Sequence, residues 1–331
     1  MDGKQLTRFV LDSLDEEVVS GIFAGQRQIY DYLDLAASTF CRETRFLTSE
    51  AAITTVADRQ TYDLPPDFIG LYMKDSRGRF FIKYYDTSNY LFPIKSSYEK
   101  IFKSNLTTAK PTPGRFCIRD DADNDWGYDY INTEASDNVI TETAEDYVVT
   151  EKPSRGHIRG SAEISASSVN GDCQLTDSSQ SFNTTVKTRD VIHNTTDGSS
   201  GIVLKVIGDD VLVCALFDGA ENDWTEGDDF VIIPSTTSRI TLDAPSETAG
   251  HTITVPYVCM PFPVYSEFCV WKFPDRTCAA IAQEAAFLYM NQKGDFPSAN
   301  RMHELFIAEI NRFKRERALL KLQDGQYRKR F

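Results

Sequence analysis

Three aspartates, Asp121, Asp123 and Asp125, recur with the one-three-five spacing of a calcium loop. Carboxylates so spaced can surround a hard cation with oxygen ligands. A complete loop of that kind also needs glycine at its sixth position and a bidentate glutamate at its twelfth. This chain has Trp126 and Asn132 there. The stretch from Cys117 to Glu151 holds eleven Asp and Glu against one Arg, so it reads as a solvated acidic loop between strands. The seven cysteines, Cys41, Cys117, Cys173, Cys214, Cys259, Cys269 and Cys278, include no pair at C-x-x-C spacing. Several lie in apolar runs, and the expectation is free, buried thiols in a reducing compartment, not disulfides or a zinc site. His157, His193, His251 and His303 are scattered without metal-ligand spacing. Gly219 to Trp224 sets Glu221 and Asp223 beside an indole, a grouping that suits a sugar. Glycoside hydrolysis needs a second carboxylate at a defined separation, and nothing in the sequence fixes one. There is no P-loop, dinucleotide fingerprint or nucleophile elbow. The expectation is no catalytic residue, no metal and no cofactor.

Charge distribution is more informative. From Arg312 to Phe331, eight Lys and Arg stand against Glu316 and Asp324, a net +6. The whole chain is −14, so its first 311 residues carry −20. An asymmetry this steep at a terminus marks a tail that docks elsewhere. The acidic remainder is poorly suited to gripping nucleic acid, which takes many Lys and Arg, but it suits the lining of a channel through which DNA passes. The composition, 41% hydrophobic and 12% aromatic, is that of a globular protein long enough for a sizeable core. The N-terminus lacks a signal-peptide apolar region, and no run reaches the ~18 apolar residues of a membrane span. These features predict a soluble protein made in a cytoplasm.

The tail must be carried by the elements before it. Phe262 to Gln323 reads as a helical hairpin. Cys278, Ile281, Ala285, Leu288 and Tyr289 recur at helical spacing, and Lys293-Gly294-Asp295 supplies the stop. Phe296-Pro297 makes the corner and Ser298 is the expected N-cap. Met302, Leu305, Phe306, Ile310 and Phe313 are the expected apolar face of the second helix. At the other end of the chain, residues 4–47 are helical, weakened around Gly21 and Gly25. Leu6, Phe9 and Val10 belong to the first piece. Ile29, Leu33, Ala36 and Phe40 form a buried face in the second, with Arg27, Asp31 and Asp34 turned away from it.

Between these helices the pattern changes to period two. Expected strands are Ile53–Val56, Thr61–Leu64 (ended by Pro65-Pro66) and an alternation through Phe80, Ile82 and Tyr84. Arg239–Leu242 and Thr252–Val255 resume the same sheet. Residues 161–234 read as a self-contained insertion of five short strands: Cys173–Leu175, Asp190–His193, Gly201–Val206, Val211–Leu216 and Phe230–Ile233. Asp197-Gly198 and Gly208-Asp209 provide the tight turns, and a small barrel or sandwich is expected. The predicted fold class is α+β, a helical bundle of N- and C-terminal helices with a β-rich middle and an inserted small β domain. The predicted organisation is a core of residues 1–160 and 235–325, an inserted domain 161–234, and a docking tail 326–331.

This layout resembles the bacteriophage head-to-tail adaptor (connector) family. The resemblance rests on Ala36-Ala37-Ser38 and Phe40-Cys41-Arg42 in the opening helix, and on Ile53–Val56 followed by Tyr62-Asp63-Leu64-Pro65-Pro66-Asp67-Phe68. The hairpin turn at Lys293-Gly294-Asp295 and the charged helix leading to a basic tail complete it. Within the insertion, Asp190 to Ser200 and Asn222 to Asp228 are similar to a small β module common in phage structural proteins. The resemblance covers residues 20–70 and 262–320. It implies a non-enzymatic virion protein of the neck, assembled in the host cytoplasm as a homo-oligomeric, dodecameric ring. It further implies a portal protein above, a tail tube, nozzle or fibre protein below, and DNA passing through without specific binding or membrane contact. The C-terminal residues Tyr327, Arg328, Lys329, Arg330 and Phe331 would then reach the portal. The alternative expectation is a tail-associated binding module, in which the inserted β domain holds a fibre protein or carbohydrate through Trp224 and its acidic neighbours.

Overall fold

The computed structural model describes residues 1–14, 26–72, 81–85, 90–93, 113–119, 132–133, 137–138, 157–235, 238–244, 246–247, 249–293 and 296–327. The fold is α+β. N- and C-terminal helices flank a β-rich middle region that forms two curled, near-barrel sheets.

The N-terminal helices are α1 (Gly3–Leu14) and α2 (Gln26–Thr44). In α1 the inward residues are Leu6, Val10, Leu11 and Leu14, whereas Phe9 is 40% exposed. Helical geometry explains this: Leu6 and Val10 are four apart and Leu14 continues their row, while Phe9 lies about 100° from Val10 around the axis. In α2 the predicted face of Ile29, Leu33, Ala36 and Phe40 is buried throughout. The helix ends with Arg45 in the left-handed region at φ 54°, and its amide donates to the Cys41 carbonyl at 2.7 Å.

The first sheet uses β1 (Thr48–Thr54), β2 (Thr61–Asp63), β3 (Phe68–Leu71), β4 (Ile82–Tyr84), β5 (Tyr90–Pro93) and β6 (Arg115–Arg119). The strands after the second sheet, β15 (Arg239–Leu242) and β16 (Thr252–Cys259), complete it. The order is β1-β16-β4-β5-β6-β15-β2, with β3 also on β16. The first and last strands on this path are consecutive in sequence, so the turn between them draws the two edges together. Tyr62 fastens that turn: its hydroxyl donates to the carbonyl of Arg59 at 2.9 Å. Thr55 and Val56, expected in the strand, belong to the turn, and β1 begins earlier, at Thr48. Between β6 and the second sheet, Asn132–Thr133 (β7) pairs with Asp137–Asn138 (β8). Phe80 and the aspartates Asp121, Asp123 and Asp125 lie outside the described residues.

The second sheet contains β9 (Ile158–Ser161), β10 (Cys173–Thr176), β11 (Val191–Asn194), β12 (Ser200–Val206), β13 (Val211–Phe217) and β14 (Asp229–Ile233), in the order β10-β13-β12-β11-β14-β9. A single turn of helix, α3 (Phe182–Thr185), covers it. The amide of Glu163, just past β9, donates to the carbonyl of Thr176 at the end of β10 at 2.9 Å, bringing the open edges together. Gly201 permits the tight β12–β13 approach, because a Cβ there would stand 1.6 Å from the Ala215 carbonyl oxygen. The sheet encloses its own core of Leu175, Phe182, Ile192, Leu212, Trp224, Phe230 and Ile232.

The C-terminal hairpin is α4 (Asp275–Lys293) and α5 (Phe296–Tyr327). Pro297 sits in the first turn of α5, where its missing N–H would have no intrahelical partner. Ser298 is therefore inside the helix and not its N-cap. Leu305 is 48% exposed, whereas Ala299, Phe306, Glu309 and Ile310 are buried. The packed row runs 299, 306, 310 and 313, which leaves Leu305 on the outward side. Both termini share one core, in which the Phe40 ring meets Phe46, Phe273, Phe306 and Phe313 at centroid distances of 6.3, 6.0, 6.3 and 5.7 Å.

Phe40→Ala should cost about 3–5 kcal/mol in denaturant unfolding, the range for emptying an aromatic site. Leu305→Ala should stay within about 0.5 kcal/mol, as surface substitutions do. Similar losses at both positions would contradict the packing described.

Candidate functional site

The C-terminal hairpin and its long second helix bear several buried and paired charges. At 32 residues, α5 is about 48 Å long. Its first part is fixed by polar contacts as much as by apolar ones. Glu309 is 3% exposed, a position where the sequence shows only a charge. Its carboxylate accepts from Thr277 Oγ1 at 3.2 Å and Arg312 Nε at 2.9 Å, and pairs with Arg276 Nε at 3.1 Å. Two cations and a hydroxyl thus replace the water that burial removed, which a buried carboxylate requires. One turn row away, buried Glu284 accepts from His303 Nδ1 at 2.9 Å, with the Phe287 ring 4.7 Å from the imidazole.

Farther along, α5 is clamped to the end of α2. Arg317 Nη1 donates to the carbonyls of Thr44 at 2.7 Å and Arg45 at 3.0 Å, and Nη2 donates to the Tyr72 hydroxyl at 2.8 Å. The last carbonyls of a helix have no intrahelical donors and carry its negative dipole end, so a guanidinium is well placed there. Lys314 adds an ion pair to Glu43 at 2.6 Å. Beyond this clamp the helix runs on to Tyr327. Of the expected docking residues, Tyr327 is the last helical residue, and Arg328, Lys329, Arg330 and Phe331 lie outside the described residues.

The polar side of α2, expected to face away from the core, receives the second sheet. Arg189 makes a bidentate pair with Asp34 at 3.0 and 3.1 Å, and both side chains are largely covered. Arg27 reaches the Ser200 carbonyl at 3.2 Å and lies 5.9 Å above the Phe217 ring. On the other side Asp63 pairs with Lys187 and with Arg239, both at 3.2 Å. Burial works against the Asp63 carboxylate, but these two cations outweigh it and hold the carboxyl below its ordinary value. Paired charges of this kind fix orientation between elements.

Trp224, the residue expected to present a ring to a carbohydrate, is 1% exposed. Its indole N–H donates to the Cys214 sulfur at 3.3 Å, so it belongs to the core and not to a binding face. Cys173 and Cys214, 41 residues apart, are brought together by strand register. Sequence spacing could not find them. Nor could it find Glu309 or the Arg189–Asp34 pair, since an isolated charge carries no sign of its partner. Among the described residues no cluster of His, Cys, Asp and Glu could hold a metal, and no helix is long and apolar enough to cross a membrane. Compared with protein-family models and with curated proteins, the chain matches none.

Two carboxylates of the hairpin titrate in opposite senses. The Arg312 hydrogen bond leads the effects that hold Glu309 below the ordinary value. Its stabilisation is full above the unfolded value of about 4.3 and is lost as pH falls through the depressed folded value. Burial raises the Glu284 carboxyl, with His303 opposing. Its contribution is full below about 4.3 and is lost as pH rises through the raised folded value. Glu309→Gln should therefore flatten the acid side of the stability–pH curve, and Glu284→Gln the side above it. At neutral pH Glu309→Gln should also cost about 1.5–3 kcal/mol by weakening the charge-assisted hydrogen bonds to the carboxylate. Urea unfolding from pH 3 to 8 checks both, and parallel curves for variants and wild type would refute the assignment. Separately, a double-mutant cycle on Asp34 and Arg189 should give a coupling of about 1–2 kcal/mol. A coupling near zero would show that the second sheet is not seated on α2 through this pair.

Proposed function

We propose that the chain is a head-to-tail adaptor of a bacteriophage virion, a ring protein that docks beneath the portal and joins it to the tail. In this reading the terminal helices are the bundle of the adaptor, and the second sheet is a small β domain inserted into it. The observation that carries the proposal is α5. It is a single helix held to α2 as far as Arg317, it continues for ten further residues, and it leads to the basic sequence Arg328-Lys329-Arg330. A rigid mount followed by a short Arg- and aromatic-containing end is suited to reach into a neighbouring protein, since those residue types anchor interfaces.

The remaining support is electrostatic and geometric. With −20 over the first 311 residues, the body repels DNA and lets it slide. A closed ring needs heterologous contacts between copies, in which one face of the chain meets a different face of the next. The fold leaves large apolar side chains outward for such contacts, among them Leu305 on α5 and Phe268 and Val270 before α4. The partners in this reading are the portal, a tail tube, nozzle or fibre protein, and further copies of the chain.

The test is reconstitution with the cognate portal, read by electron microscopy and a binding assay. The full chain should form a ring on the portal. Deleting Gln326 to Phe331 should weaken portal binding by more than about 30-fold, the effect of losing interface hot spots, while circular dichroism stays unchanged. A full-length chain that forms no complex with the portal would end the adaptor reading. Undiminished binding by the truncated chain would remove the tail from it.

A further inference from the structure

The second sheet contains a pair of thiols with the placement of an unclosed disulfide. Cys173 in β10 and Cys214 in β13 are direct partners in the antiparallel register. Directly opposed residues have Cα atoms about 4.5–5.5 Å apart, inside the window that a disulfide spans. The two sulfurs are already 3.6 Å apart, and both side chains are buried. The indole N–H of Trp224 donates to the Cys214 sulfur at 3.3 Å and helps hold that side chain toward its partner. A pair of unrelated core cysteines would not need to meet in register with their sulfurs in contact.

We propose that Cys173 and Cys214 form a site of reversible oxidation, closing a disulfide between β10 and β13 when the chain meets a disulfide-class oxidant such as oxidised glutathione. The site is independent of the function proposed above. The Cys173 thiolate attacks one sulfur of the oxidant, forming a mixed disulfide and releasing one glutathione. The Cys214 thiolate then attacks the Cys173 sulfur and releases the second. Two protein thiols are oxidised to one disulfide, and one glutathione disulfide is reduced to two thiols, which take up the two protons.

Access sets the rate. β10 is an edge strand with β13 as its ladder partner, and the Glu163–Thr176 hydrogen bond holds its free side. Peeling β10 away exposes Cys173 without dismantling the rest of the sheet, and edge strands are prone to local opening of this sort. Proximity to Cys214, together with burial, pushes the Cys173 thiol pKa up, which further slows reaction in the closed state. The bond therefore forms during folding or on opening, and once formed it ties the edge strand down.

The experiment refolds the full chain in a glutathione redox buffer, so that burial does not limit access. Remaining thiols are then alkylated under denaturing conditions and the peptides mapped by mass spectrometry. The expected result is a cross-linked peptide pair containing Cys173 and Cys214, with the other five cysteines alkylated. Tryptophan fluorescence should fall as the disulfide comes to lie beside Trp224, recover on reduction, and not change in Cys173→Ser. Oxidation should raise the melting temperature of the second sheet by about 5–15 °C, as for a loop of this length. If the chain does not refold, native protein held in oxidised glutathione just below its melting onset gives the same readout. Free alkylation of both thiols after either treatment would overturn the proposal, as would pairing of Cys214 with other cysteines at comparable yield.

Discussion

The Phe40 ring touches residues from Phe46 to Phe313, and those contacts bind together two ends of the chain that are far apart in sequence. Between Thr44, the last residue of α2, and Asp275, the first of α4, the sequence advances 231 positions. Bringing such ends together costs loop-closure entropy, although that cost grows only slowly with length. Neither pair of helices has enough apolar surface to stand alone. α1 and α2 supply one side of the core, α4 and α5 the other, and all else is disposed around that closure.

The β-rich middle is folded in a way that tolerates this arrangement. The first sheet takes β15 and β16 from after the second sheet, so its order also depends on residues far apart in sequence. The second sheet is local, with all its strands between Ile158 and Ile233 and a core of its own. Its strands are held by hydrogen bonds and apolar packing, but charges fix its position: Arg189 on Asp34 and Arg27 over Phe217 against α2, and Lys187 on Asp63 against the first sheet. Apolar packing allows small sliding, whereas a bidentate guanidinium–carboxylate pair accepts one geometry. Orientation and cohesion thus come from different interactions.

The same division recurs in the hairpin. Phe306 and Ile310 provide burial, while Glu309 and Arg317 fix rotation and reach along the axis. A long helix fixed in this way transmits position from the body to its far end, because its backbone hydrogen bonds make it stiff along its length. That stiffness makes the direction of the helix as far as Tyr327 a property of the fold.

The sequence by itself determined the elements whose periodicity is strong. The buried face of α2, the α4–α5 hairpin and five of the six strands of the second sheet are all visible in it, because burial of one face imposes a period of about 3.6 or 2 on the residue types. It also determined the charge imbalance between body and tail. Only the tertiary structure decided which of two adjacent apolar residues faces inward, as with Phe9 against Val10 and Leu305 against Phe306. It alone placed Trp224 in a core, buried Glu309 between arginines, paired Asp34 with Arg189, and set Cys173 against Cys214. These are pairings between residues remote in the chain. A one-dimensional pattern records how each residue meets its near neighbours and its solvent, but the partner of a charge or a thiol is fixed only when the chain closes.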